Sequence, residues 1–505
     1  MIQTIKELLA NGTPEAVAIG APGRPPLTYE GLQAQVKRTV KGLNARGIGR
    51  DDRVAIVLPN GPEMASAFVS VAAGAATAPL NPAYRAEDFD FYLSDLKAKA
   101  LIVERGSGSP AVGVAREHGV AVIEISWGIK DPAGTFTLHG GEEGKTAARG
   151  GMAEAGDIAL ILHTSGTTSR PKIVPLSQAN IAASAHNIAQ TTQIGPSDRC
   201  LNIMPLFHIH GLMAAVLASL YAGASVFCSP GFNALKFFGW LDEVEPTWYT
   251  AVPTMHQAIL ARAGRNLKNL NGTRLKFVRS SSSSLPPRVM AELEETFKAP
   301  VIEAYGMTEA AHQMACNPLP PAPRKAGTVG PAAGPEVAIM DNDGNLLEPG
   351  ATGEIVIRGA NVFTEYENNP TANAEAFTGG WFRTGDQGVM DGDRYITITG
   401  RLKEIINRGG EKISPREVDE AIMDHPAVQQ VVTFALPHPK LGEEVAAAVV
   451  LREGQQATER DIRDFAAEHL ADFKVPRKVV FLDEIPKGAT GKLQRIGLAD
   501  KLGLT

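Results

Sequence analysis

The stretch from Asp157 to Lys172, DIALILHTSGTTSRPK, decides the fold expected for this chain. Ile158 through Leu162 form an unbroken apolar run, which predicts a buried strand. The run stops at a loop of small and hydroxylated residues that ends in Lys172. Such a loop exposes backbone N–H groups and hydroxyls and adds one cation, a combination that suits a polyphosphate. The loop lacks the spacing of a Walker A motif. Taken alone, its composition also fits a surface turn rich in serine and threonine.

The elements around this loop alternate between helical and strand patterns. Residues 27–47 predict a helix that ends at Gly47, and ALIVE at 100–104 predicts a strand. Ser177 is placed to cap a helix that runs through Gln193. This alternation predicts a wound, mostly parallel sheet with helices on its faces. A second α/β unit is expected over 200–320.

The residue pattern of the chain changes twice after residue 320. The glycine-rich run of short β patterns over 325–400 predicts a small β-barrel or β-sandwich subdomain. The clearest boundary falls at Gly400–Arg401, and the remainder predicts a compact α+β domain. Its first helix is expected to start at Ser414, with Pro415 at the first helical position and Glu417 completing a capping box. The predicted fold class is α/β, with a large domain of two wound subdomains and a β-barrel over 1–400, and a small α+β domain over 401–505.

Composition excludes several classes of protein. A chain of 505 residues is too long for one core, and a net charge of −6 gives no support for a nucleic-acid-binding surface. Cys200, Cys228 and Cys316 are odd in number and far apart, so neither a disulfide framework nor a zinc site is indicated. No apolar run is long enough to span a membrane, and the N-terminus lacks the pattern of a signal peptide. A reducing, cytoplasmic location is therefore expected. The oligomeric state is left open.

Five motifs in a fixed order resemble the adenylate-forming superfamily, which includes the acyl-CoA synthetases. They are residues 164–172, YGMTE at 305–309, GWFRTGD at 380–386, GRLKEIINRGGEKISP at 400–415 and PKGATGK at 486–492. One such motif is weak support, whereas five with family-like spacing are strong, and the resemblance covers nearly the whole chain. The chain departs from the family at Ser169, where glycine is usual, and a positive φ there would add strain.

The resemblance implies an ATP- and Mg²⁺-dependent activation of a carboxylic acid. A carboxylate meets the α-phosphorus and pyrophosphate leaves, so catalysis is positioning plus charge neutralisation. The phosphates would be cradled by Thr164, Ser165, Gly166, Thr167, Thr168 and Lys172. Glu309 would hold Mg²⁺, which prefers oxygen ligands and substrate phosphates. The nucleotide would also be bound by Thr308 at the α-phosphate, Asp386 and Arg401 at the ribose, and Tyr305 at the adenine.

The resemblance also implies that the small domain is mobile. Lys492 would bridge the acid carboxylate and the α-phosphate, a role that suits a compact charge on a long stem. The domain would then rotate about the hinge residue Lys403 for thioester formation. The pantetheine path of coenzyme A would be lined by Arg408, Gly409, Gly410 and Glu411, where glycines permit close backbone approach.

The identity of the acid depends on three segments: MPLFHIHGL at 204–212, LKFVRSSSSSLPP at 275–287 and EAYGMTEAAHQM at 303–314. They resemble oxalate–CoA ligases more closely than fatty-acid enzymes. His208 is expected beside the reacting carboxylate, and His210 on the same side of an extended segment. The acid-binding residues would be His210, Arg279, Ser280, Ser282 and His312. A charge pair at about 4 Å is worth roughly 4 kcal/mol at an effective dielectric near 20, against roughly 0.8 kcal/mol for each missing methylene.

The predicted reaction converts oxalate, ATP and CoA to oxalyl-CoA, AMP and pyrophosphate. A medium-chain or aromatic acyl-CoA synthetase is the alternative enzyme, since the serine run can be a helix-start loop and His312 a core histidine. A nucleotide-binding homologue without catalysis and a domain that loads a carrier protein are further alternatives. The sequence shows no carrier segment after residue 505, which favours free CoA.

Overall fold

The computed structural model describes residues 2–164, 171–486 and 495–504. Two predicted functional segments lie outside these residues. One holds Ser165, Gly166, Thr167, Thr168 and Ser169, and the other holds Lys492. The roles given to the first four of these residues and to Lys492 therefore stay predictions, as does the strain expected at Ser169.

The first wound unit is built around a seven-stranded sheet with the order β7-β6-β5-β3-β4-β8-β9. Its strands are parallel except for β7 and β9 at the two edges. The first elements of the chain are α1 Ile5–Leu9, β1 Val17–Gly20, β2 Leu27–Thr28, α2 Tyr29–Asn44, β3 Arg53–Val57, α3 Pro62–Ala72, β4 Ala76–Pro79, α4 Ala86–Asp95, β5 Ala100–Glu104, α5 Pro110–Glu117, β6 Ala121–Ser126, β7 Thr137–Gly140, β8 Ile158–Thr164, β9 Lys172–Ser177 and α6 Gln178–Thr192. The buried strand predicted from Ile158 is β8, and the predicted wound sheet is confirmed.

The second wound unit holds an eight-stranded sheet with the order β15-β14-β13-β12-β10-β11-β1-β2. Only its outer pairs, β14 with β15 and β1 with β2, are antiparallel. The elements are β10 Arg199–Asn202, a π-helix His210–Leu217, α7 Ala218–Tyr221, β11 Ser225–Cys228, α8 Phe237–Val244, β12 Trp248–Ala251, α9 Pro253–Ala263, α10 Leu267–Gly272, β13 Phe277–Ser281, α11 Pro287–Phe297, β14 Val301–Met307, a 3₁₀ helix Thr308–Ala310 and β15 His312–Cys316. The second α/β unit predicted over 200–320 is therefore confirmed.

The two wound sheets share one core, and α3 shows why. All eleven residues of α3 are buried, because the helix contacts strands of both sheets. A helix that is buried on every face lies inside a protein, here between two sheets. Its many alanines and serines let both sheets approach closely, and the largest apolar cluster of the chain includes residues from both sheets.

The β-rich subdomain predicted after residue 325 is an antiparallel sheet of five strands. Its elements are β16 Glu336–Met340, β17 Thr352–Arg358, α12 Pro370–Ala376, β18 Phe377–Thr378, β19 Trp381–Met390 and β20 Ile396–Arg401. Strand β19 pairs with β17, β18 and β20. Between these described strands no pairing joins β16 to β20, so the sheet is not closed into a barrel.

The last part of the chain forms a separate five-stranded sheet. Its elements are β21 Ile406–Arg408, β22 Glu411–Ile413, α13 Pro415–Met423, β23 Val428–His438, β24 Gly442–Leu451, α14 Glu459–His469, a 3₁₀ helix Asp472–Lys474, β25 Lys478–Phe481 and α15 Leu498–Lys501. Ser414 does cap α13, but the predicted capping box is only half formed. Glu417 does not reach back to the N-cap, because Lys474 of the 3₁₀ helix donates Nζ to its carboxylate at 2.6 Å.

The described part of the chain contains no helix that is both long and apolar enough to cross a bilayer.

Candidate functional site

Asp386 lies at the junction between the third sheet and the second wound unit. Strand β19 presents its carboxylate, which is 6% exposed. Tyr305 donates its hydroxyl to Oδ2 at 2.5 Å, and Arg401 donates Nε to Oδ1 at 3.0 Å. The Asp386 charge raises the pKa of the Arg401 guanidinium above its ordinary value. The structure thus brings together the three residues predicted to bind the nucleoside, and a carboxylate has lone pairs left for two hydroxyls.

Glu309 and Lys172 face each other across a tyrosine. Glu309 lies in the 3₁₀ helix after β14, and burial raises the pKa of its carboxyl group. The Tyr366 hydroxyl donates to its Oε1 at 2.8 Å. Lys172 begins β9 as the register partner of Thr164, and its Nζ lies 4.0 Å from the centre of the Tyr366 ring. Burial lowers the pKa of Lys172, while the Glu309 charge raises it.

The environment of Glu309 fits magnesium held mainly by substrate. In residues 2–164, 171–486 and 495–504, no three side chains of the metal-binding types come together as a protein cage. Mg²⁺ commonly takes one or two carboxylates plus phosphates and water. A single buried carboxylate with one oxygen bonded to a hydroxyl therefore suits this ion. Thr308, the neighbouring residue, is half-buried.

A buried polar cluster contains most of the residues predicted to bind the acid. His210 contacts the Ser282 hydroxyl through Nδ1 at 3.0 Å and the Thr250 hydroxyl through Nε2 at 2.6 Å. The His210 and His312 rings lie 5.0 Å apart between centres. Arg279 contacts Nε2 of His312 at 3.3 Å through Nη1. Two rings, a guanidinium and two hydroxyls thus converge where β12, β13 and β15 meet the π-helix.

The backbone is strained at two residues of this cluster. Ser282 has φ of 74° and His312 has φ of 103°, both in the region that side-chain-bearing residues avoid. Gly306 lies against the second of them, since a Cβ there would approach the His312 carbonyl oxygen to 2.0 Å. Non-glycine residues in such conformations cluster at ligand sites, where the surrounding structure holds them.

Two expectations about the acid site are wrong in detail. The segment with His208 and His210 is not extended, because His210 begins the π-helix. The backbone N–H of His210 instead donates to Nδ1 of His208 at 3.3 Å. Ser280 is not brought to the cluster, since it alternates with Arg279 along β13 and shares its face with register partners Ala251 and Glu303.

The residues predicted to line the CoA path form a tight hairpin. Arg408 and Glu411 are register partners, and Gly409 and Gly410 between them have φ of 60° and 102°. Positive φ at both positions is the requirement of a two-residue type I′ turn, which explains the glycine pair structurally. The Arg408 side chain donates to Glu444 at 2.6 Å. Lys403 is exposed in the connection between β20 and β21. Its positive charge lowers the pKa of Lys172.

Sequence reasoning missed three residues of the site. Thr250 and Gln313 contact Arg279, at 3.5 Å and 3.1 Å, and Tyr366 contacts Glu309. A threonine inside the aromatic run WYTA was a signal for Thr250, because a polar side chain in a buried strand requires a partner. Tyr366 lies in a connecting segment with no periodic pattern to single it out.

Comparison with known proteins identifies the class. The family model described as AMP-binding enzyme matches residues 7–367, and the model of the C-terminal domain of AMP-binding enzymes matches residues 417–492. The chain therefore belongs to the family of AMP-binding enzymes. The predicted class of enzyme, an AMP-forming acid–CoA ligase that uses ATP, Mg²⁺ and CoA, is confirmed by this membership together with the CoA ligases among its relatives.

Two curated relatives are similar over most of their length. An oxalate–CoA ligase of Arabidopsis thaliana is 44% identical, over 97% of this chain and 96% of the relative. An oxalate–CoA ligase of Saccharomyces cerevisiae is 42% identical, over 89% of this chain and 87% of the relative. Among solved structures, ATP-bound MatB from Rhodopseudomonas palustris superposes with a TM-score of 0.87 at 28% identity, covering 99% of each chain.

Proposed function

We propose that this enzyme converts oxalate, ATP and CoA to oxalyl-CoA, AMP and pyrophosphate through an oxalyl-adenylate. The observation that supports oxalate as the acid is the burial of Arg279 without an ion-pair partner among the described residues. Its side chain is fully buried, and its hydrogen bonds go to Thr250, His312 and Gln313. No carboxylate among the described residues forms an ion pair with it. A buried cation without a counter-charge is costly, so an acid with a second carboxylate is the ligand that this cluster favours.

Arg279 contacts one of the two histidines directly, and the other lies beside that one. Burial lowers the pKa of the guanidinium below its ordinary value. The His210 ring is held by Ser282 and Thr250, and the His312 ring by Arg279. We assign the distal carboxylate of the acid to His210, His312 and Ser282, with Arg279 behind them. His208 would lie beside the carboxylate that reacts.

The remaining roles follow the chemistry of adenylation. Thr164 to Thr168, Lys172 and Thr308 would hold the phosphates, Asp386 and Arg401 the ribose, and Tyr305 the adenine. Glu309 would hold Mg²⁺, which neutralises phosphate charge when bound. Lys492 would draw the acid carboxylate and the α-phosphate together. Because both are anionic, a positioned lysine lowers the barrier by offsetting their repulsion.

We place the domain boundary at residues 400 and 401, with Lys403 as the hinge. In support, Arg401 ends β20 in the third sheet, while β21 begins at Ile406 in the fourth. The small domain would bring Lys492 to the acid in one orientation, and Arg408 to Glu411 towards CoA in the other. The buried, unpaired Cys200, Cys228 and Cys316 support a cytoplasmic location.

A medium-chain acid is the second candidate, because the chain also forms an apolar cleft that includes the residue before His208. Its lining includes Leu58, Met64, Leu80, Phe207 and Met255, and its volume is about 180 Å³. Phe207 precedes His208, so a chain leaving the reacting carboxylate could enter this cleft instead of the polar cluster. Apolar lining of this kind is typical of sites for uncharged ligands.

A panel of acids separates the two candidates. Pyrophosphate release is measured with oxalate, malonate, hexanoate and benzoate in the presence of CoA. We expect oxalate to be used best, and a clear preference for hexanoate would reject the polar cluster as the acid site. Lys492→Ala should abolish release with every acid while the protein stays folded. If the protein were a nucleotide-binding homologue without catalysis, the wild type itself would release no pyrophosphate.

A matched pair of serine variants tests the acid site itself. Ser282→Ala removes a hydroxyl that contacts His210, whereas Ser280→Ala removes one on the face of β13 that is opposite to Arg279. We expect the first to raise the KM for oxalate and the second to leave it unchanged, with the KM for ATP constant in both. His312→Ala and His210→Ala should act like the first. Equal oxalate KM values in all four variants would refute the assignment.

A further inference from the structure

Tyr366 connects the two charged groups predicted to meet the phosphates and the metal ion. It is 4% exposed, and its two ends contact different partners. The hydroxyl donates to Oε1 of Glu309 at 2.8 Å. The ring face lies 4.0 Å from Nζ of Lys172. One side chain therefore contacts a carboxylate and an ammonium group that come from separate elements of the fold.

The segment around Tyr366 is fixed from both sides. Phe363 donates its backbone N–H to the Glu309 carbonyl at 2.8 Å, and Glu367 donates its own to the Ile173 carbonyl at 3.1 Å. The backbone N–H and C=O of Tyr366 bond to the side-chain amide of Asn373, at 2.7 Å and 2.8 Å. These contacts fix the position of the Tyr366 ring between β9 and the 3₁₀ helix.

We propose that Tyr366 is a positioning residue that keeps Glu309 and Lys172 in one arrangement, so that Mg²⁺ and the phosphates of ATP bind together. The inference depends on the metal and phosphate roles proposed for those two residues. The hydroxyl orients one oxygen of Glu309 and leaves the other for the ion. The ring stabilises the half-buried ammonium group of Lys172 through a cation–π contact.

A tyrosine can serve both Glu309 and Lys172 because its hydroxyl and its ring make different kinds of contact. A hydrogen bond to an ionised group is stronger than one between neutral groups, and it opposes the cost of burying the Glu309 carboxylate. Loss of such a bond corresponds to about a tenfold change in an equilibrium constant. A phenylalanine keeps the ring under Lys172 and removes only the hydroxyl. A leucine removes both contacts.

Tyr395 provides a matched control. Its hydroxyl donates to the Pro323 carbonyl at 2.6 Å, and Nζ of Lys325 lies 4.3 Å from its ring centre. It is buried as Tyr366 is, and it combines a hydroxyl bond with a cation–π contact in the same way. None of its partners is a predicted site residue. Tyr395→Phe therefore reports the general effect of losing a buried tyrosine hydroxyl in this protein.

The test measures binding of a non-hydrolysable ATP analogue by calorimetry, with Mg²⁺ and with a chelator. For Tyr366→Phe we expect the enhancement of binding by Mg²⁺ to fall about tenfold, with little change in the metal-free Kd. Tyr366→Leu should in addition weaken metal-free binding, because Lys172 loses its support. Tyr395→Phe should match the wild type. An unchanged enhancement in Tyr366→Phe overturns the inference.

Glu309→Gln separates this inference from the roles on which it depends. If Glu309 holds the metal ion, this variant loses the Mg²⁺ enhancement, and adding Tyr366→Phe to it causes no further loss. An additive loss in the double variant would mean that Tyr366 acts elsewhere. If Glu309→Gln keeps the enhancement, the metal role itself is wrong. If Glu309→Gln loses it and Tyr366→Phe does not, only the role of Tyr366 is refuted.

Discussion

Glu303 is a buried carboxyl group whose ionisation should weaken the fold at neutral pH. It lies on β14, is 1% exposed, and accepts the Leu285 backbone N–H at 2.9 Å through Oε1. No described residue bonds to its Oε2. Burial raises its pKa to about 7, against the opposing charge of Arg416 and with a smaller contribution from Glu420. The ordinary value for this group is 4.5.

The direction of the pH effect follows from these two values. Below pH 4.5 the group is protonated in the folded and unfolded chains, so it costs nothing. Between pH 4.5 and about 7 the unfolded chain releases the proton and the folded chain keeps it, so the free energy of unfolding falls as pH rises. Above about pH 7 both forms are ionised, and the loss in the free energy of unfolding is complete. At about 1.4 kcal/mol for each tenfold change in proton affinity, it amounts to about 3 kcal/mol.

Glu303→Gln tests this reasoning, because glutamine keeps an acceptor for the Leu285 N–H and does not titrate. Urea unfolding at a series of pH values gives the difference in stability between the variant and the wild type. We expect the variant to gain stability steadily from about pH 5 to pH 8, by up to about 3 kcal/mol. Glu295→Gln, at an exposed position of α11, is the control and should show no such gain. A difference between Glu303→Gln and wild type that is constant with pH would refute the burial argument.

Three further variants test the site and the second domain. Gly306→Ala should reduce oxalate use and lower the melting temperature, because its Cβ would collide with the His312 carbonyl; normal activity would show that the strand can move aside. Asp386→Asn should raise the KM for ATP at least about tenfold, since Arg401 loses its counter-charge, and an unchanged KM would remove Asp386 from the nucleotide site. Thr458→Ala removes the N-cap of α14 and should cost the C-terminal domain about 1 kcal/mol in urea unfolding, with no change in pyrophosphate release.

Local patterns were enough to predict most of the fold. ALIVE is the strand Ala100–Glu104, and the helix predicted between Ser177 and Gln193 has those two residues as its caps. Periodicity and caps are short-range signals, so one sequence contains them. The half-formed capping box at Ser414 shows where they fail, since Lys474, 57 residues from Glu417, takes the carboxylate.

The site was predictable where its residues belong to motifs and not where it depends on distant contacts. Tyr366 and Glu309 are 57 residues apart, and no local pattern connects them. The extended conformation expected at His210 was wrong for the same reason. Its ring bonds to Thr250 and Ser282, 40 and 72 residues away, and the segment coils into a π-helix that places the ring between them. Such insertions in helices are rare and often lie at functional sites.

The acid cluster combines two unfavourable features that the rest of the fold must support. Ser282 and His312 each adopt a backbone conformation that costs about 1–3 kcal/mol, and Arg279 is a buried cation without a described counter-ion. An acid with an apolar tail brings no second charge to the guanidinium and no acceptor to the hydroxyls. A dicarboxylate supplies both. In the proposed acid site, the buried charge of Arg279 would therefore favour oxalate over acids of equal size that carry one charge.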